Sequence, residues 1–114
     1  MKLSFIIPAW NEEALISATI ASLHSSASAF EYEIIVANDA SDDRTAEIAD
    51  AQGAIVVHCD NRQIGPTRND GANVASGDVF IFVDADTIVQ KEVVHETVKA
   101  IESGAVAGGE FSKV

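Results

Sequence analysis

The sequence lacks the features that mark several common protein classes. A single cysteine, Cys59, excludes an internal disulfide and a cysteine-based zinc cluster. Seven Lys and Arg residues against 18 Asp and Glu residues give a net charge of −11, which argues against nucleic acid and anionic lipid as partners. The longest uncharged stretch, Ala14–Phe30, is too short and too rich in Ser and Ala to span a membrane. We therefore expect a cytoplasmic protein, peripheral to a membrane at most in its full-length context.

Short apolar segments rich in β-branched residues alternate with helical segments. Strands are expected at Leu3–Ile7, Glu33–Ala37, Ala54–His58, Asp78–Val83 and Ala105–Phe111. Segments such as EIIVA, AIVVH and VFIFV are apolar without interruption, which is typical of strands covered on both faces. The 114 residues are thus predicted to form one domain of the α/β class, a doubly wound, mostly parallel, Rossmann-like sheet in three α/β/α layers.

Four helices are expected between these strands. The first is predicted to begin at Asn11 as its N-cap, with Glu12 and Glu13 in the first turn, where the helix dipole favours acids. The other three are expected from Asp42 or Asp43 to Gly53, from Gly65 and Pro66 to a stop before Gly77, and from Gln90 to Glu102.

A polar cluster follows each of the first four predicted strands. PAWNE follows the first, NDASDD the second, CDNRQIG the third and DADT the fourth. The carboxyl ends of parallel strands lie at one edge of the sheet, and open α/β sheets bind ligands there, where the strand order switches. Four separate loops are therefore predicted to form one binding crevice.

Asp84 and Asp86 are the most informative residues of this crevice. Residues i and i+2 of an extended segment point the same way, so both carboxylates are expected to face the crevice. Adjacent carboxylates repel unless a cation lies between or beside them, and oxygen ligands suit Mg²⁺ or Mn²⁺. We predict a divalent cation site at these residues. The alternative is that the two aspartates only cap the next turn or helix.

Glycine-rich phosphate loops are absent, since neither G-x-G-x-x-G nor G-x-x-x-x-G-K-[ST] occurs. This absence excludes the common dinucleotide-binding and P-loop sites. Arg68 lies in the first turns of a predicted helix that begins at the same edge, and a guanidinium can bind two phosphate oxygens at once. Arg68 is therefore a candidate phosphate ligand, with a surface ion pair to an acid such as Asp70 as the alternative.

In this order and spacing, the segments resemble family 2 glycosyltransferases of the GT-A fold. FIIPAWNEE resembles that family's opening strand and P-x-x-N-E turn, and IIVANDASDDRTAEIA resembles its D-D-G-S-x-D-G-T segment. NRQIGPTRNDGANVASGDVFIFVDADT resembles its N-x-G-x-x-x-A-R-N-x-G segment with the following D-x-D motif. The resemblance implies a transferase that binds a nucleotide-diphosphate sugar with Mg²⁺ or Mn²⁺ and serves an unknown acceptor. A UDP-sugar is favoured, with a GDP-sugar second.

The resemblance also implies roles for individual residues. Seven residues are expected to bind the nucleotide sugar: Pro8, Ala9, Asn11, Glu12, Asp39, Arg68 and Asp84. Among them, Glu12 is expected to reach the ribose or base, Asp39 to accept a hydrogen bond from the base, and Arg68 to contact the diphosphate. Asp86 is expected to ligate the cation that bridges the diphosphate, with Asp84 facing the ribose and the metal.

Several positions depart from the family's pattern. Asn38 replaces the first aspartate of the D-D pair, while Ala40 and Arg44 replace glycines, so the loop after the second strand is expected to be stiffer. The family's general base belongs to a second half, and few residues follow Asp86. We expect the base to be absent, because Glu92, Glu96 and Glu102 fit an exposed helix face.

From these departures we predict that the chain is truncated before its acceptor half. It should then bind the donor but transfer sugar poorly. An open sheet edge around Ala105–Gly109 is expected to pair with another copy, giving a homo-oligomer.

Two rival hypotheses remain. VFIFVDADT also fits the D-x-D-x-T motif of haloacid-dehalogenase-type phosphohydrolases, in which Asp84 would be the nucleophile and Asp86 the acid. That family carries the motif on its first strand, whereas here it follows the fourth. The other hypothesis is a stand-alone nucleotide-binding or assembly module without enzymatic activity.

Overall fold

The computed structural model describes residues 1–104 and 109–111. Its strands are β1 (Lys2–Ala9), β2 (Glu31–Asp39), β3 (Ile55–Cys59), β4 (Val79–Val83) and β5 (Gly109–Phe111). Its helices are α1 (Ile16–Ser26), α2 (Thr45–Ala51), α3 (Ile64–Val74) and α4 (Lys91–Glu102). Residues 105–108, where the fifth strand was predicted to begin, lie outside the described residues, so the predicted pairing of that edge stays a prediction. In the part of the chain that is described, no helix is both long and apolar enough to cross a membrane.

All neighbouring strands are parallel, in the order β3-β2-β1-β4-β5. The chain builds outward from β1 to β3 and then returns to the other side of β1 with β4. The strand order therefore reverses between β1 and β4, and ligands of such sheets bind beyond the carboxyl ends at this switch. The predicted α/β class and parallel sheet are confirmed.

The central position of β1 explains its uninterrupted apolar sequence. Phe5 and Ile7 are fully buried in the main core together with Ile20 of α1. On the opposite face, Ile6 packs against α3 so closely that a Cβ on Gly71 would lie 2.6 Å from Ile6 Cγ2. Helices therefore cover both faces of β1, as its sequence pattern predicts.

Two predictions about individual elements are wrong. Helix α1 begins at Ile16 with Leu15 at its N-cap, and Asn11 instead has a positive φ of 51° in the preceding turn. The Asn11 side chain accepts a hydrogen bond from the N–H of Asp42, 31 residues away, so a tertiary contact takes the place of the predicted cap. Strand β3 is not covered on both faces, because it is an edge strand and Ile55 is 46% exposed.

A polar network joins the strands at the opposite, amino edge of the sheet. The carboxylate of Glu33 accepts hydrogen bonds from Ser4 Oγ at 2.6 Å, from the N–H of Ser76 at 2.6 Å and from Ser76 Oγ at 3.1 Å. Lys2 Nζ lies 3.6 Å from the same carboxylate. Because Ser4 is fully buried and also accepts a hydrogen bond from the N–H of Gly77, this network fixes the start of β4 beside β1.

Candidate functional site

A cavity of about 450 Å³ lies where β1, β2 and β3 end. Its walls come from the loops that follow these strands, and its lining residues are Pro8, Ala9, Trp10, Glu12, Asp39, Arg62, Gln63, Ile64 and Thr67. Three of the four polar clusters that the sequence assigns to one sheet edge thus contribute to one cavity.

The loops after β1 and β2 are held together by hydrogen bonds. The N–H of Glu12 donates to Thr45 Oγ1 at 2.9 Å, and the N–H of Asn11 donates to Ser41 Oγ at 2.9 Å. The Asn11 side chain is bound to the N–H of Asp42 and does not line the cavity. Asn11 therefore joins the two loops, and its nucleotide contact stays a prediction.

Asp39 connects the cavity to the loop after β3. Its side chain is only 7% exposed, and Oδ1 accepts hydrogen bonds from the N–H groups of Asn61 at 2.6 Å and Arg62 at 3.2 Å. Arg62 adopts a positive φ of 56° there, and Ala40, which directly follows Asp39, has a φ of 54°. Asp39 therefore lines the cavity and also positions the loop after β3, which forms part of the cavity wall.

The D-x-D motif follows β4, next to the switch in strand order, as predicted. Asp84 and Asp86 are both half-buried, and the cavity lining does not include them. Their charges reach Glu12: burial raises the pKa of its carboxyl above the usual range, and the negative charges of Asp86, Asp43 and Asp84 raise it further. Glu12 therefore lines the cavity and is also within electrostatic range of the D-x-D motif.

The carboxylates do not form a complete protein-only metal site. Across residues 1–104 and 109–111, no three His, Cys, Asp or Glu side chains are arranged to hold a metal ion. A cation at Asp84 and Asp86 would need further oxygen ligands, such as those of a diphosphate or water, and Mg²⁺ is commonly bound in this way.

Arg68 lies on α3 and is also outside the cavity lining. It is half-buried, and its guanidinium carbon lies 5.7 Å from the centroid of the Phe82 ring on β4, a cation–π distance. Phe82 is two residues from Asp84, so this contact places the guanidinium beside the strand that carries the D-x-D motif. Its predicted contact with a diphosphate stays a prediction.

Comparison with known proteins identifies the family. The sequence model of Glycosyl transferase family 2 matches residues 4–113. The chain belongs to this family. The uncharacterized glycosyltransferase YfnE of Bacillus subtilis (strain 168) is 34% identical over 108 residues, which cover 90% of this chain and 28% of YfnE.

Solved structures of glycosyltransferases share the fold. TarS of S. aureus, in complex with UDP-GlcNAc, superposes with a TM-score of 0.79 at 28% identity, covering 90% of this chain and 32% of that one. Glucosyl-3-phosphoglycerate synthase from Mycobacterium tuberculosis, in complex with Mn²⁺, UDP and glucosyl-3-phosphoglycerate, gives a TM-score of 0.76 at 28% identity, covering 88% and 39%. The predicted GT-A fold is confirmed. The chain spans between 16% and 40% of the length of the relatives compared with it.

Some cavity residues of this family 2 chain, such as Ile64 and Thr67, were not predicted individually from the sequence. Trp10 is 55% exposed and Ile64 is 57% exposed, so both offer apolar surface at the cavity. Thr67 is 2% exposed and donates to the carbonyl oxygen of Gln63 at 2.7 Å. Their signal was the clusters PAWNE and CDNRQIG, which identify the loops but not the side chains that face the ligand space.

Cys59, at the end of β3, is half-buried in surroundings that disfavour its thiolate. Burial raises the pKa of its thiol, and the nearby charges of Asp39 and Asp70 raise it further. The thiolate is the reactive form of cysteine, so these surroundings suppress its reactivity.

Proposed function

We propose that this chain forms the donor site of a family 2 glycosyltransferase, which binds a nucleotide-diphosphate sugar together with a divalent cation. A UDP-sugar is the favoured donor and a GDP-sugar the second choice. One observation carries the proposal: the cavity lies where β1 ends, and the D-x-D motif follows β4, the strand that pairs with β1. The cavity and the D-x-D motif are therefore close enough to bind two parts of one ligand.

The cavity suits the nucleoside. Asp39 offers a buried carboxylate that can accept a hydrogen bond from the N–H of a uracil-like base. Trp10 and Ile64 present exposed apolar surface against which a base can pack. The UDP and UDP-GlcNAc complexes of the similar structures support a uridine nucleotide here.

The donor set at the D-x-D motif fits a hard divalent cation. Asp84 and Asp86 would hold the ion with two carboxylates, and diphosphate oxygens would complete its ligands. When bound, the cation would stabilise the negative charge of the departing nucleoside diphosphate. The acidic surroundings, with a net chain charge of −11, repel a diphosphate that arrives without a cation. The Mn²⁺ in one similar structure supports this assignment.

We also propose that residues 1–114 alone bind the donor but transfer sugar weakly. Inverting transfer needs a general base on the acceptor side of the sugar. The three glutamates of α4 that follow the motif, Glu92, Glu96 and Glu102, are all exposed, which is typical of a solvated helix face and not of a general base held in a site.

Trp10 allows a direct test, since it is the only tryptophan and it lines the cavity. We expect UDP to change its fluorescence, with a lower Kd when MnCl₂ is present, and GDP to bind more weakly. Asp86→Asn should remove the Mn²⁺ dependence. The matched control is Asp50→Asn, which makes the same charge change at an exposed position on α2 and should leave binding intact.

Two results would contradict the proposal. If no uridine or guanosine nucleotide, free or as a diphosphate sugar, binds in an Mn²⁺-dependent way, the donor site is wrong. Fast sugar transfer by residues 1–114, measured by release of UDP from a UDP-sugar with an acceptor mixture, would refute the assignment of weak transfer.

A further inference from the structure

The D-x-D turn, residues 84–89, is bound to helix α1 by side-chain hydrogen bonds. Thr19 Oγ1 donates to the carbonyl oxygen of Ala85 at 2.8 Å, directly between the two aspartates. One turn farther along the helix, Ser22 Oγ accepts a hydrogen bond from the N–H of Val89 at 3.0 Å. Both ends of the D-x-D turn are thus attached to one helix.

A third hydroxyl completes the attachment. Ser26 Oγ donates to the carbonyl oxygen of Val89 at 2.6 Å, so helix α1 binds both backbone polar groups of that residue. Ser22 Oγ also donates to the carbonyl oxygen of Thr19 at 2.7 Å, which uses its proton within the helix. We call Thr19, Ser22 and Ser26 the hydroxyl row, since spacings of three and four residues place them on one helix face.

Burial makes these bonds hard to replace with water. Thr19 is fully buried, Ser26 is 5% exposed, and their partners Ala85 and Val89 are 5% and 4% exposed. Buried backbone N–H and C=O groups are almost always paired, so loss of a hydroxyl would leave a backbone group without a partner. The D-x-D turn would then have to move to reach water.

Charge repulsion between carboxylates disfavours a fixed arrangement of the D-x-D turn. Asp84 and Asp86 are two residues apart on one turn, so their negative charges repel each other, and both charges also act on Glu12. Within the turn, the N–H of Thr87 donates to the carbonyl oxygen of Asp84 at 3.1 Å, and the hydroxyl row adds hydrogen bonds to the backbone on both sides of Asp86. The row therefore fixes the backbone that carries the carboxylates in the absence of a cation, which is what a prepared cation site requires.

We propose that Thr19, Ser22 and Ser26 are positioning residues, which fix Asp84 and Asp86 for the cation and so set the affinity for the cation–nucleotide complex. This inference rests on the proposed donor site. It adds helix α1, which contributes no residue to the cavity lining, to the functional part of the molecule. Outer partners of metal ligands typically change metal affinity 10- to 100-fold when they are removed.

The test compares Thr19→Val with the unaltered chain. Valine keeps the branched shape and removes the hydroxyl. We expect the Kd of UDP in the presence of Mn²⁺, followed by Trp10 fluorescence, to rise about tenfold. The Kd of UDP without metal should stay the same, because the hydroxyl row does not line the cavity. Thr19→Ser, which restores the donor, should recover most of the Mn²⁺ effect.

Ser4→Ala is the matched control, since Ser4 is a fully buried hydroxyl at the opposite edge of the sheet. It should destabilise the chain without changing the Mn²⁺ effect on UDP binding. If Thr19→Val does not fold, Ser22→Ala takes its place, and unfolding is checked by circular dichroism.

The outcomes separate the two proposals. If the unaltered chain shows the Mn²⁺ effect and both Thr19→Val and Ser22→Ala retain it, the positioning role is wrong and the donor site stands. The inference would be overturned if Thr19→Val weakened UDP binding equally with and without Mn²⁺. It would also be overturned if Ser4→Ala reduced the Mn²⁺ effect as much as Thr19→Val does, since both results would show a merely structural role. If the unaltered chain shows no Mn²⁺ effect, the donor site itself fails, and the positioning role fails with it.

Discussion

Replacing Glu33 should destabilise the protein in a strongly pH-dependent way. Its carboxylate accepts three hydrogen bonds from Ser4 and Ser76 and lies 3.6 Å from Lys2 Nζ, with a side chain only 12% exposed. Burial raises the pKa of Glu33, but these hydrogen bonds and the Lys2 charge outweigh it and hold the pKa below the ordinary value.

The contacts give the size of the effect. Glu33→Ala leaves the buried Ser4 hydroxyl and the Ser76 N–H without this partner, and hydrogen bonds to charged groups contribute about 1.5–3 kcal/mol each. Because Ser76 can reach water, we expect a total loss of about 2–4 kcal/mol at pH 7. Glu33→Gln keeps one acceptor oxygen and should cost about 1 kcal/mol.

The pH dependence follows from the lowered pKa. A carboxylate with a lower pKa in the folded state stabilises that state above the unfolded pKa of about 4.3, and this stabilisation disappears as the pH falls through the folded value. The difference in free energy of unfolding between the unaltered chain and Glu33→Ala should therefore be large at pH 7 and shrink below about pH 4.

Urea unfolding, followed by circular dichroism from pH 7 to pH 3, measures this difference. Glu31→Ala is the control, since Glu31 is exposed at the start of the same strand and its replacement should change stability by less than about 0.5 kcal/mol. A loss at Glu33 that is equally small, or one that stays constant across this pH range, would refute the reasoning.

Three further changes test the loops and the packing. Gly77→Ala should lower the free energy of unfolding by about 1–3 kcal/mol in urea titrations, because its Cβ would lie 2.5 Å from Ser4 Oγ; unchanged stability would contradict this close packing. Ala40→Gly should raise the free energy of unfolding by up to about 1 kcal/mol, because glycine adopts the positive φ of 54° without strain. A lower free energy of unfolding in this variant would show that the loop is not strained. Asp86→Asn should lower the pKa of Glu12 towards its ordinary value, since one repelling charge is removed. If the titration of the Glu12 carboxyl in ¹³C NMR did not change, the charge of Asp86 would not act on Glu12.

The sequence by itself determined the class of fold and the edge that carries the site. Uninterrupted β-branched segments that alternate with helices can bury themselves only in a parallel sheet between helices, and β1 and β2 show this burial. Because all strands run the same way, the polar clusters after them had to meet at one edge. The family resemblance assigned nucleotide-sugar contacts to Pro8, Ala9, Glu12 and Asp39; all four line the cavity, and the contacts themselves stay predictions.

Only the tertiary structure decided how the loops are held. Asn11 caps no helix because its side chain binds the loop after β2, and β3 is half exposed because it lies at the edge of the sheet. The bond from Thr19 to Ala85 joins residues 66 positions apart, a distance at which the local pattern carries no signal. Apolar periodicity is set by which face of an element is buried, so it can be predicted from neighbouring residues. Hydrogen bonds between distant loops depend on how whole elements pack, and only the folded chain determines them.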